Sequence, residues 1–268
     1  MFVTRLISGI VLVIVLTLLL VSGGPVLAIG LLVISLIGMH ELNKAVGAEE
    51  KGPTVITLSA YLGAAAMYAL MYFKLDIVSL AVVSLSLIVV LAAYVFTWPK
   101  HDHTQVMSAM FGLVYVALSL SFIWRIRAME NGQFNVWLVF VCSWGCDTCA
   151  YCAGMLLGKH KMAPHLSPKK SVEGAVGGVI GAALLGIVLA VVTANCTGSD
   201  AHILEYALIG AAGGLVSMVG DLAASAIKRE TGIKDYGKLI PGHGGILDRF
   251  DSVIFTAPVI WILLVVLL

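Results

Sequence analysis

The sequence predicts an all-α, polytopic integral membrane bundle of about nine transmembrane helices, and three observations carry that expectation. Of the 268 residues, 60% are hydrophobic and 12% charged, with a mean hydropathy of +1.03; a soluble domain carries about 25% charged residues. Charge-poor apolar runs recur along the chain at about 20 residues, the length of helix that crosses a hydrocarbon core of roughly 30 Å. Such runs are too long for barrel strands, so helices must satisfy the backbone in lipid.

The spans fall near residues 4–22, 25–43, 54–73, 76–98, 104–125, 134–157, 172–195, 203–227 and 251–268. The first has Arg5 at its start, as a secretory leader would, but no small-residue cleavage site follows its apolar core, so it reads as a helix. Ser22-Gly23-Gly24-Pro25 separates it from the second span. His101, Asp102 and His103 occupy the short loop before the fifth span, and Arg125 and Arg127 anchor that span at the interface. Two loops rich in glycine and charge, 158–171 and 228–250, flank the hairpin of the seventh and eighth spans, so both emerge on one face.

Loop charge orients the bundle. Nine spans put Arg5, Lys44, Lys51, Lys100, Lys159, Lys161, Lys169, Lys170, Lys228, Arg229, Lys234, Lys238 and Arg249 on one side, against Lys74, Arg125 and Arg127 on the other. This asymmetry predicts a multi-pass protein of the cell membrane with its basic loops in the cytoplasm. The net charge of +1 says nothing about nucleic acid, because the charge is local rather than global, and no nucleic-acid partner is expected. Five cysteines in or beside apolar runs do not form a secreted disulfide framework. Residues 1–130 read as scaffold helices and 131–268 as the region that carries the chemistry, within one continuous membrane domain.

Nine of the 24 residues from Lys228 to Asp251 are charged. Just upstream, Ser217, Asp221, Ser225 and Lys228 share one helical face, and a carboxylate two turns inside a span is usually functional. The competing reading is a structural Asp221–Lys228 pair. In the loop, Pro241 and the glycines at 237, 242, 244 and 245 forbid ordinary helix and let backbone N–H groups approach a ligand. Asp248 and Asp251, three apart at the start of the ninth span, add carboxylates of the kind that hold Mg²⁺ together with substrate phosphates. In the other loop, Ser167-Pro168-Lys169-Lys170-Ser171 precedes a helix start and resembles a phosphate cradle. Lys159 and Lys161 there are equally consistent with a generic positive loop. In the sixth span Asp147, Tyr151, Gly154 and Gly158 form one stripe. Cys146, Cys149 and Cys152 on that helix read as small apolar fillers, and Gly174, Gly177, Gly178 and Gly181 as a close-packing face.

The segment from Ser225 to Asp251 closely resembles the defining motif of the phosphatidate cytidylyltransferase (CDP-diacylglycerol synthase) family. The matching residues are Ser225, Lys228-Arg229, Lys234-Asp235, His243-Gly244-Gly245 and Asp248-Arg249-x-Asp251. Upstream, the resemblance takes in Trp144, Asp147, Ala150-Tyr151, Gly158-Lys159, Ser167-Pro168-Lys169-Lys170 and Glu173-Gly174, about 110 residues in all. Ala224 departs from it, since the family usually has Glu there, and Ser171 replaces the usual Thr.

The resemblance implies a Mg²⁺-dependent nucleotidyltransferase of phospholipid biosynthesis that condenses CTP with phosphatidic acid, with two metal sites and a homodimer. Carried over residue by residue, it makes Asp221, Asp248, Lys228 and His243 catalytic. Asp221, Asp248, Asp147 and Asp251 become metal ligands. Ser167, Lys169, Lys170, Ser225, Arg229, Lys234, Gly244, Gly245, Arg249 and Tyr151 become substrate-binding. A CTP-dependent lipid or polyprenol kinase would use similar groups. A secondary transporter would also place carboxylates in broken helices, but its charges would gather at the midplane and an inverted repeat would accompany them.

Overall fold

The computed structural model describes residues 2–268. Among them are nine helices long and apolar enough to cross a membrane: α1 (Phe2–Ser22), α2 (Gly24–Ala45), α3 (Val55–Tyr72), α4 (Asp76–Thr97), α5 (His103–Arg127), α6 (Gly132–Leu157), α7 (Val172–Thr197), α8 (Ile203–Glu230) and α9 (Leu247–Leu267). The expected all-α class and the expected spans are both present. α5 and α6 contain short π-helical stretches at Leu113–Leu118 and Val141–Gly145. The loop after α6 holds a small antiparallel hairpin of β1 (Lys161–Ala163) and β2 (Ser167–Ser171), where irregular loop was expected.

The chain forms two compact units, one of residues up to Ser121 with Thr231–Arg249, the other of Phe122–Glu230 with Phe250–Leu268. The polar segment 231–249 thus belongs with the N-terminal helices.

In the first unit, Gly23 and Gly24 take positive φ values of 59° and 46°, which let the chain reverse between α1 and α2. Pro25 then occupies the first turn of α2, where its missing N–H costs nothing. The core is apolar, with Leu27, Leu31, Met39, Leu42, Ile56, Met67 and Leu113 almost fully buried. A polar network joins α2, α3 and α5 at one end. The Glu49 carboxylate meets His40 Nδ1 at 2.5 Å and accepts from the Tyr61 hydroxyl at 2.6 Å. Asn43 donates to Tyr61 and accepts from Ser108 at 2.6 Å.

The second unit is held by small residues. A Cβ on Gly177 would overlap Ala153, and one on Gly181 would come within 2.5 Å of Cys149. Cys146 packs on Gly178 and Gly214, and Cys142 on Gly213. Lipid tails are as apolar as the side chains, so close backbone approach rather than hydrophobic drive holds such helices together. Cys146 and Cys149 therefore act as the small fillers expected, whereas Cys152 is exposed.

Candidate active site

In the second unit, α6, the hairpin, α7 and α8 enclose a cavity of about 390 Å³. Asp147 and Tyr151 line it from α6, Ser167, Lys169, Lys170 and Ser171 from β2, and Asp221 from α8. Residues far apart in sequence are brought together by two devices. Gly154, Gly158 and Gly174 let α6 and α7 close until a Cβ on Gly174 would sit 2.8 Å from the Ala150 carbonyl. Ser171 then caps α7, its hydroxyl accepting from Gly174 N–H at 3.2 Å. The Glu173 carboxylate fixes the chain just before the hairpin, accepting from Lys159 N–H at 3.0 Å and His160 N–H at 3.2 Å.

One pair of charges in this cavity is already matched. The Lys170 ammonium lies directly against the Asp221 carboxylate, both about a quarter exposed. Nearby in the same unit, Lys228 pairs with Asp251 at 4.0 Å, and Asp251 Oδ1 accepts from Ser252 N–H at 2.8 Å. Ser225 lies one turn beyond Asp221 on α8 and is half-buried, while Arg229 is exposed at the helix end.

The first unit holds the other motif residues. Gly242 and Gly244 have φ of 78° and 87°, the left-handed region that glycine alone occupies cheaply. The turn they form does something other than leave its amides open. Gly245 N–H and Tyr236 N–H both donate to Asp248 Oδ2, at 2.9 and 2.8 Å. Ile246 N–H and Leu247 N–H donate to the two oxygens of Glu41, at 3.1 and 2.8 Å. The expectation that these glycines free amides for a ligand is therefore corrected at Gly245, whose N–H is taken by Asp248. The start of α9 carries unsatisfied donors, and two buried protein carboxylates take them.

Glu41 is the residue that sequence reasoning passed over. It is 6% exposed, and a Cβ on Gly237 or Gly245 would overlap its carboxylate. A glutamate in the last turns of an apolar helix was a visible signal, of the same kind that singled out Asp221.

Beside this turn lies a second cavity, of about 550 Å³, lined by Lys234, Lys238, Arg249, His243, Arg5 and Asp235 among others. His243 Nδ1 lies 2.8 Å from the Ser8 hydroxyl. Burial first, then the Arg249 and Arg5 charges, hold the His243 pKa below its ordinary value.

Two carboxylates facing one cavity, with a lysine ammonium already seated on one of them, fit a small hard cation that keeps substrate phosphates in its shell. Among the described residues, no three His, Cys, Asp or Glu side chains converge as a metal-holding group.

The profile of the cytidylyltransferase family matches residues 3–267. The chain is similar to the phosphatidate cytidylyltransferase of Haemophilus influenzae, 34% identical over 164 residues covering 60% of this chain and 57% of the relative. It is similar to that of a Synechocystis species, 40% identical over 135 residues covering 49% and 43%. The Staphylococcus epidermidis protein is 33% identical over 178 residues covering 63% and 64%. The chain thus spans between 43% and 64% of the length of these relatives. With a family profile running almost end to end across nine apolar helices, this multi-pass membrane protein belongs to the cytidylyltransferase family.

Proposed function

We propose that the protein joins CTP to phosphatidate, giving CDP-diacylglycerol and pyrophosphate, at the cytoplasmic face of a cell membrane. The observation that carries this reading is the cavity of the second unit, where Asp147, Asp221, Lys169 and Lys170 face one space. The names of the curated relatives and the motif from Ser225 to Asp251 support it.

In the reaction, a phosphate oxygen of the lipid forms a bond to the α-phosphorus of CTP as the α–β P–O bond breaks. The electron pair leaves with pyrophosphate. The nucleophile is already anionic, so no side chain need act as a base. The protein's task is to bring two polyanions together and to hold charge that spreads in the transition state. Lys170 would exchange Asp221 for a phosphate oxygen, with Lys169 and the Ser167 hydroxyl beside it and Tyr151 on the cavity wall. Lys234, Arg249 and His243 on its Gly244-Gly245 turn would hold a phosphate of their own. Lys228, Arg229 and Ser225 extend the cationic and polar end of α8.

Asp147 and Asp221 would hold Mg²⁺, and the motif makes Asp248 and Asp251 candidate ligands as well. Neutralising the triphosphate and polarising its phosphorus is the chemistry that such an ion supplies.

Sealed membrane vesicles test the reading. CTP added to inverted vesicles should release pyrophosphate only when phosphatidate is present, and right-side-out vesicles should not respond. Asp221→Asn should cut the rate at least a hundredfold while leaving the protein inserted. Phosphatidate-independent release, or near-normal activity in that variant, would overturn it.

A further inference from the structure

We infer that α1 and the 241–244 turn form the seat of a membrane phospholipid with an anionic head group, the phosphate held at Arg5 and His243 and one acyl chain laid along α1. This rests on the proposed reaction for the identity of the lipid as phosphatidate, and it adds a place and residues that the motif does not contain.

Two adjoining spaces in the first unit carry the inference. One is the polar cavity beside the glycine turn, rimmed by Lys234, Lys238 and Arg249. The other is a groove of about 660 Å³ whose floor is Leu6, Gly9, Ile10, Val13 and Ile14 of α1. They share Arg5 and His243, which line both. A cationic head space therefore opens into an apolar trough, the chemistry of a lipid with a charged phosphate and a hydrocarbon tail. From Leu6 to Ile14 the trough runs along about 12 Å of helix.

The seat is built rather than incidental. The Ser8 hydroxyl lies 3.0 Å from the Pro241 carbonyl and 2.8 Å from His243 Nδ1, tying α1 to the turn. Gly242 could not carry a side chain, since a Cβ there would lie 2.8 Å from Arg5 Cγ. Gly9 lies under the imidazole, where a Cβ would reach 3.5 Å from the ring. The trough residues Leu6, Ile10, Val13 and Ile14 are each about half exposed, so the groove is open along its length. Moving a tail from bilayer to trough gains little, because both are apolar. The tail contact orients the lipid, and the cations supply the affinity.

The test uses the full-length protein in mixed micelles. Phosphatidate carrying a photoreactive group midway along one acyl chain, with no CTP and no divalent cation, should label α1 peptides. Unlabelled phosphatidate should compete, and diacylglycerol should not. Val13→Trp, which fills the trough, should raise the KM for long-chain phosphatidate about tenfold. It should leave the KM for CTP and turnover of dihexanoyl phosphatidate unchanged. Arg5→Ala should raise the KM for both lipids and not for CTP. Labelling absent from α1, labelling competed by CTP rather than lipid, or equal effects of Val13→Trp on both chain lengths would sink the seat. If the wild-type protein makes no CDP-diacylglycerol yet α1 is labelled as described, the seat stands and the reaction assignment falls.

Discussion

Glu41 shows how much one side chain can hold in place. Its two oxygens take the N–H groups of Ile246 and Leu247, and its neighbours Gly237 and Gly245 have no room for a Cβ. Glu41→Ala would leave two buried donors unpaired, at roughly 1–3 kcal/mol each. A loss of that size should appear as a lowered thermal midpoint in detergent. Glu41→Gln, which keeps one acceptor oxygen, should lose less. Equal midpoints for wild type and Glu41→Ala would show that the amides find other partners. The same residue marks a limit of sequence reading. Its carboxylate was visible at the end of an apolar run, but which amides it meets depends on a turn more than 200 residues away. The motif singled out Asp248. That its Oδ2 accepts from Tyr236 and Gly245 was not, because only the left-handed glycines bring those amides round to it.

At the scale of elements, the α6–α7 pair is where the pattern of small residues translates most directly into structure. The glycines at 174, 177, 178 and 181 were readable as a packing face, and the structure sets Ala150, Ala153 and Cys149 against them. That closeness lets the hairpin present Ser167, Lys169 and Lys170 to Asp147 and Asp221. Gly177→Leu should therefore both destabilise the protein, by about 1–3 kcal/mol of overpacking, and lower activity by spreading the cavity wall. Measured together, an unchanged melting midpoint and unchanged turnover would refute the role given to this face. The hairpin itself was not legible. Two prolines and four lysines in 159–170 read as loop, and the short β1–β2 ladder depends on the Glu173 carboxylate fixing its entry.

For the whole molecule, nine spans were readable because each must bury its backbone within one apolar run, a constraint local to the sequence. The division into units was not, since Thr231–Arg249 packs with helices far before it in the chain. The proposed reaction breaks CTP between its α- and β-phosphates, and one measurement addresses this directly. Purified protein in detergent is given phosphatidate, Mg²⁺ and CTP labelled at either the α- or the γ-phosphate. α-Label should appear in the lipid and γ-label in pyrophosphate, with a chelator abolishing both. Label from the γ-phosphate in the lipid, with the α-label left in CDP, would contradict it and identify a CTP-dependent kinase instead.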